Sequence, residues 1–124
     1  MAVYNLITNA SSAGVIPSPT LAPQQAQPGS QMVTPEGPNN PNMPTQGQWF
    51  QMIASAKSDN LAATAIVVAS NNGSDWSDIG VTLTATGAAY SVQSKAANIP
   101  AKHFAAYLST LTGTGAVAGV LMSA

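Results

Sequence analysis

The sequence predicts an all-β protein: an extended proline-rich arm over residues 1–47, followed by a small antiparallel sandwich over residues 48–124. Eight of the nine prolines lie before residue 45, and this stretch is otherwise rich in Gln, Asn, Ser and Gly. The rest of the chain consists of short β-rich runs separated by turn residues. Six such runs follow one another at intervals of about 10–15 residues, which is typical of sandwiches and barrels.

The arm is predicted to be extended because each proline removes a backbone donor, restricts its own φ and biases the preceding residue away from the helix. Small apolar residues recur along it, and we expect them to dock into grooves on a partner protein while the prolines limit the entropy lost. A disordered tail with incidental apolar residues is the alternative. The predicted anchors are Tyr4, Leu6, Ile7, Val15, Ile16, Leu21, Met32, Val33 and Met43.

Six strands are predicted in the second region, and together they favour a sandwich of the immunoglobulin-like or jelly-roll-like kind. In the fifth strand Phe104 and Leu108 are expected to point inward, with Thr110 at the end of the same face. Tyr107 is expected on the opposite face, where it is a possible interface residue. A tight hairpin at 113–115 is expected to join the last two strands. The predicted strands are 48–54, 63–70, 79–84, 90–93, 102–111 and 116–122.

The composition excludes several functional classes. Charged residues make up 6% of the chain, and the basic ones are three lysines with no arginine, so a nucleic-acid-binding surface is not expected. There is no cysteine to form a disulfide or a thiolate metal site. The N-terminal residues do not resemble a signal peptide, and no apolar run reaches the ~20 residues that span a bilayer. We therefore expect synthesis in a cytoplasm and no membrane partner.

The residue types that catalysis needs are scarce. His103 is the single histidine, and no Ser/His/Asp arrangement is recognisable, so we expect no enzymatic activity and no cofactor. One loop, residues 71–78, is rich in oxygen ligands, and Asp75 with Asp78 are the candidate ligands for Ca²⁺. The loop lacks the spacing of an EF-hand, and its Asn, Gly, Ser and Asp residues are also typical of a tight turn. A turn without metal is the favoured interpretation.

The segment from Ser70 to Gly80 resembles the SNDGxxW strand–turn–strand of many small β-sandwich modules. With the segments 83–87, 102–108 and 111–116, it makes residues 61–124 similar to the small β-sandwich proteins that decorate or cement the heads of tailed bacteriophages. The resemblance implies a structural protein of the virion without catalytic residues. Its implied partners are the major capsid protein or another virion protein, and further copies of itself.

The alternative hypothesis is a receptor- or carbohydrate-binding module of a phage tail or fibre. Such a site requires exposed aromatic side chains beside carboxylates and amides, and Trp76 and Tyr107 are the candidates for it. The arm with its apolar anchors favours the decoration protein.

Overall fold

The computed structural model describes residues 2–35 and 47–124, and these are nearly all β. The predicted all-β class and the sandwich arrangement are confirmed. One short helix, α1, begins with a proline, which is tolerated there because the first helical N–H has no partner within the helix. The elements are β1 Val3–Ala10, α1 Pro23–Ala26, β2 Gln48–Ser55, β3 Ala62–Ser70, β4 Ser77–Thr86, β5 Tyr90–Ala97, β6 His103–Thr112 and β7 Val117–Ser123.

Two antiparallel sheets face each other. The four-stranded sheet has the order β1-β7-β2-β5, and the three-stranded sheet has the order β4-β3-β6. All six predicted strands are present. The predicted hairpin at Gly113–Gly115 is wrong, because β6 and β7 belong to different sheets and the turn carries the chain across the sandwich.

The core lies between the sheets and consists of the inward side chains of alternate strand positions. Phe50 and Phe104 meet across it with ring centroids 6.1 Å apart and planes inclined at 49°. Phe104, Ala106 and Leu108 are fully buried, which confirms the predicted inward face of β6. Many of the remaining core side chains are alanines, so the two sheets rely on few large groups for their contact.

A bulge in β6 changes the predicted alternation. Thr64 of β3 pairs with Thr110, but the next residue of β3 pairs with Leu108, so Ser109 is the extra residue. The extra residue reverses the side-chain alternation beyond it. Leu111 therefore packs against the core while Thr110 is exposed, and the prediction that Thr110 shares the face of Leu108 is wrong.

The first part of the predicted arm belongs to the sandwich. Residues 3–10 form β1, which pairs with β7 at the edge of the four-stranded sheet, and they bury Leu6 and Ile7 in the core. The predicted boundary at 47/48 is therefore wrong at this end of the chain. The physical reason is that the prolines begin only at Pro17, so β1 keeps all its backbone donors.

Residues 14–33 run along the outer edge of β6. Val33 exchanges two backbone hydrogen bonds of 2.8 Å with Phe104, and the N–H of Gly14 donates to the carbonyl of Leu108 at 2.8 Å. The Ser30 hydroxyl donates to the carbonyl of Ala106 at 2.9 Å. This part of the predicted arm thus satisfies the free edge of its own domain.

Candidate binding surfaces

The predicted arm anchors that lie within the described residues divide into three groups. Leu6, Ile7 and Val33 are buried within this chain, so these three do not lie free to enter grooves of a partner. Their burial follows from the pairing of β1 with β7 and from the contact of Val33 with Phe104. Tyr4 and Leu21 are partly buried, Val15, Ile16 and Met32 are exposed, and Met43 lies outside the described residues.

The outer face of the four-stranded sheet is a candidate binding surface. Pairing places Trp49 beside Ala96 and Ser123, and Ile53 beside Val92 and Gly119. Across the described part of the chain, no charged side chain lies on this face. Its outward side chains are Val3, Asn5, Trp49, Gln51, Ile53, Ser55, Tyr90, Val92, Ser94, Ala96, Val117, Leu121 and Ser123.

Several large apolar side chains of this face are open to solvent. Val3 is 65% exposed, Tyr90 64%, Trp49 46%, Val92 41% and Ile53 39%. Single exposed apolar residues are common on soluble proteins, but neighbouring ones without any charge between them mark interaction surfaces. We call this surface, the outer face of β1, β7, β2 and β5, the uncharged face.

A groove of about 270 Å³ lies on the uncharged face between β1 and β7. Gly119 forms part of its floor, and a Cβ atom there would lie 3.1 Å from the carbonyl oxygen of Ile7. The absence of a side chain therefore keeps the groove open next to Ile53. The lining residues are Asn5, Ile7, Thr8, Asn9, Ile53, Gly119 and Leu121.

The opposite surface, the outer face of β4, β3 and β6, has a different character. Tyr107 lies there beside Ile66 on the side predicted from the sequence, and it is partly buried. Burial, and secondarily the negative charge of Asp78, raise the pKa of the Tyr107 phenol above its usual value. Much of the remaining face consists of threonines, including Thr82 and Thr84. Burying threonine hydroxyls costs free energy unless they find new hydrogen-bond partners, so covering this face with another protein is less favourable than covering the uncharged face.

His103, the single histidine of the sequence, makes a hydrogen bond within the fold. The Nδ1 atom of His103 lies 2.7 Å from the hydroxyl of Thr34, at the end of β6 where residues 14–33 meet it. This hydrogen bond joins Thr34, which follows residues 14–33, to the first residue of β6. The side chain is partly buried, and within the described residues no carboxylate is its hydrogen-bond partner.

The oxygen-rich loop is organised by its own hydrogen bonds. The side-chain Nδ2 atom of Asn72 donates to the carboxylate of Asp75 at 2.7 Å, and its side-chain Oδ1 atom accepts from the backbone N–H groups of Ser74 and Asp75 at 2.9 Å. Asp78 accepts from the N–H of Gly80 at 2.8 Å. The two carboxylates thus stabilise separate turns. The described residues contain no group of three or more His, Cys, Asp or Glu side chains able to hold a metal ion.

A second groove, of about 450 Å³, lies where this loop meets residues 99–101. Asn71, Asn72 and Asp75 supply polar atoms, and Ile79 and Ile99 supply apolar surface. Trp76 is partly buried, and its enclosed indole N–H has no hydrogen-bond partner among the described residues. It is not among the residues that line this groove.

The uncharged face was not predicted from the sequence, although a signal for it exists. In β2, Trp49 and Ile53 alternate with Phe50 and Met52, so both faces of the strand carry large apolar groups. A strand with one hydrated face normally alternates apolar with polar residues. Large apolar residues on both faces of β2 therefore indicate that its outer face is also suited to contact with protein rather than with water.

No protein-family model, curated protein or solved structure matches this chain. Within the described ranges, there is no helix with the length and apolar character needed to cross a membrane.

Proposed function

We propose that this chain is a structural virion protein, of the type that decorates or cements the head of a tailed bacteriophage. It binds the major capsid protein or another virion protein through its uncharged face. The observation that carries the proposal is the exposure of Trp49, Ile53 and Val92 on a sheet face without charged side chains. Such a face loses little hydration energy when another protein covers it.

The size of the face suits one contact among several. Four strands spaced ~4.8 Å apart and about seven residues long at ~3.4 Å per residue present roughly 450 Å². A standard protein interface buries about 800 Å² on each partner, so the face supplies roughly half of that. A protein repeated over a particle combines several modest contacts into firm attachment. Val15, Ile16 and Met32, the exposed arm residues, are candidates for additional contacts.

The composition supports the same proposal. Only 6% of the residues are charged, and a free protein with so few surface charges has little protection against association. A subunit whose surface is covered by neighbours does not need that protection. The resemblance of residues 61–124 to phage decoration proteins agrees with this proposal.

Particles purified from the phage that encodes this chain provide the test. Mass spectrometry of gradient-purified particles should detect the chain as a stoichiometric component, and electron cryomicroscopy should place it on the head. The variant Trp49→Ser should be depleted from the particles, whereas Thr84→Ser, on the opposite sheet, should be retained. Absence of the wild-type chain from purified particles would refute the proposal.

The groove at residues 69–79 and 99–101 favours a second candidate function, carbohydrate binding by a tail or fibre module. Amide and carboxylate groups beside apolar side chains are typical of sugar sites. A glycan array with the purified chain tests this function. Binding that is lost in Asp75→Ala, with Asp59→Ala as a control for charge, would favour the second candidate.

A further inference from the structure

The four edges of the two sheets are not equally protected. The edge of β6 is covered by residues 14–33. The pairing of β1 with β7 has two register shifts, and that of β4 with β3 has one. Such irregularities twist an edge away from further pairing. In contrast, β5 pairs with β2 in an unbroken register of eight residue pairs.

The free backbone groups of β5 belong to alternate residues. The N–H of Ala56 donates to the carbonyl of Ala89 at 2.8 Å, in line with the register of β2 and β5. Antiparallel pairing alternates hydrogen-bonded and non-bonded pairs, so Ser91, Gln93 and Lys95 direct their backbone groups to β2. The intervening residues, Tyr90, Val92, Ser94 and Ala96, direct theirs away from the sheet. Among the described residues β2 is the strand that pairs with β5, and no backbone hydrogen bond from a loop or turn reaches these four.

Side chains do not protect this edge either. Tyr90, Val92, Ser94 and Ala96 carry no charge and lie on the uncharged face. The one charged residue of β5 is Lys95, and its ammonium group donates to the carbonyl of Gly80 at 3.0 Å. A lysine on an edge strand normally prevents pairing with another chain, because its charge would be buried in the new contact. Here the lysine is held against β4.

We propose that β5 is the self-association edge of this protein, and that a second copy adds its own β5 antiparallel across a two-fold axis. In the register that uses the whole strand, Gln93 faces Gln93 of the second copy. Val92 then exchanges backbone hydrogen bonds with Ser94 of the second copy, and Tyr90 does so with Ala96. This arrangement forms about eight backbone hydrogen bonds.

Charge and symmetry favour a second copy as the occupant. An edge that pairs with itself is self-complementary, which is the requirement of a two-fold interface. In this register Lys95 lies opposite Ser91 of the second copy, so no like charges face each other. The two four-stranded sheets become one continuous eight-stranded sheet.

This inference goes beyond the proposed function and is tested on the purified chain alone. If both hold, pairing doubles the uncharged face to roughly 900 Å², about the area that one partner contributes to a standard interface. The oligomeric state and the attachment to particles are separate measurements. A chain that stays monomeric would refute the pairing of β5 alone, and a chain that does not attach to particles would refute the proposed function alone.

Amide hydrogen exchange measured by NMR at low and high protein concentration shows whether the outward amides of β5 become hydrogen-bonded. The amides of Tyr90, Val92, Ser94 and Ala96 should become protected as the concentration rises, together with a doubling of mass in sedimentation equilibrium. The amide of Gln93 bonds to β2 and should be protected at both concentrations. A chain that remains monomeric up to about 1 mM, the concentration scale of very weak association, would overturn the proposal.

Charged substitutions of Gln93, the residue at the two-fold axis, provide a second test of the proposal. Gln93→Lys and Gln93→Glu each place like charges opposite each other, and each should weaken the dimer roughly fivefold. An equimolar mixture of the two variants should restore association, because opposite charges then meet. Gln93 is exposed, so both variants should fold, and Thr84→Lys on β4 is the control. A dimer unaffected by either Gln93 variant would show that pairing uses another surface.

Discussion

Gln27 offers the sharpest test of how residues 14–33 are held against the sandwich. Its side chain is fully buried at the end of α1. The Oε1 atom accepts a hydrogen bond of 2.8 Å from the N–H of Leu108. The Nε2 atom donates to the carbonyls of Ser12 at 2.8 Å and Pro28 at 3.1 Å. One side chain therefore links the edge of β6 to Ser12 and Pro28, which lie before and after α1.

Replacing Gln27 by alanine should lower the free energy of unfolding by about 2–4 kcal/mol. The largest contribution comes from Leu108, whose buried N–H loses its partner at a cost of about 1–3 kcal/mol. Ser12 and Pro28 are exposed, so water can replace the lost donor at their carbonyls. The volume left by the removed atoms adds about 1 kcal/mol.

Urea denaturation followed by circular dichroism measures the effect. The midpoint for Gln27→Ala should fall by about 1–2 M at an unchanged slope. Gln27→Met keeps most of the volume but leaves Leu108 unpaired, so it should retain about 1–3 kcal/mol of the loss. Gln24→Ala, on the exposed side of the same helix, should change stability by less than about 0.5 kcal/mol. If Gln27→Ala unfolds at the wild-type midpoint, the segment is not anchored by this side chain.

Three further predictions concern the fold and its pH dependence. Deletion of residues 1–10 should prevent stable folding, because Leu6 and Ile7 each contribute about 1.5–3 kcal/mol of burial; a truncated chain with wild-type melting would contradict the role of β1. Phe104→Ala should cost about 3–5 kcal/mol in urea denaturation, and Tyr107→Ala, on the outer face, should cost clearly less; the reverse order would invert the faces of β6. Burial and the charge of Asp78 raise the pKa of Tyr107 above the usual value of about 10, so its contribution to stability is present below pH 10 and is lost as the pH rises through the folded-state pKa. In an ultraviolet titration one tyrosine should ionise late, and Tyr107→Phe should remove that component.

Local patterns predicted the strands because each pattern is a property of neighbouring residues. Val81 and Leu83 are buried, alternating with exposed Thr82 and Thr84, as the period of two requires. The same rule placed Phe104 inward and Tyr107 outward. It failed after Ser109, because a bulge adds one residue without any change in the local pattern.

The role of the arm residues was less predictable. Leu6, Ile7 and Val33 were predicted to dock into grooves of a partner, because the sequence shows apolar groups but not the surface that buries them. The structure buries them against the same chain. Proline content predicted an extended path without helix for residues 14–33, but α1 forms at Pro23–Ala26, because a proline fits the first position of a helix. The segment covers an edge strand of its own domain, which a proline-containing chain can do as readily as it fills a groove on another protein.

The sequence by itself determined the all-β class, the number of strands after residue 47 and the inward face of β6 up to Leu108. These follow from alternation, turn residues and proline positions, which act over a few residues. Only the tertiary structure decided that β1 joins β7, that β6 and β7 lie in different sheets, and that no second strand from residues 2–35 or 47–124 pairs with the regular strand β5. Alternation specifies which face of a strand is buried but not which strand lies beside it, because pairing depends on contacts between residues far apart in the chain.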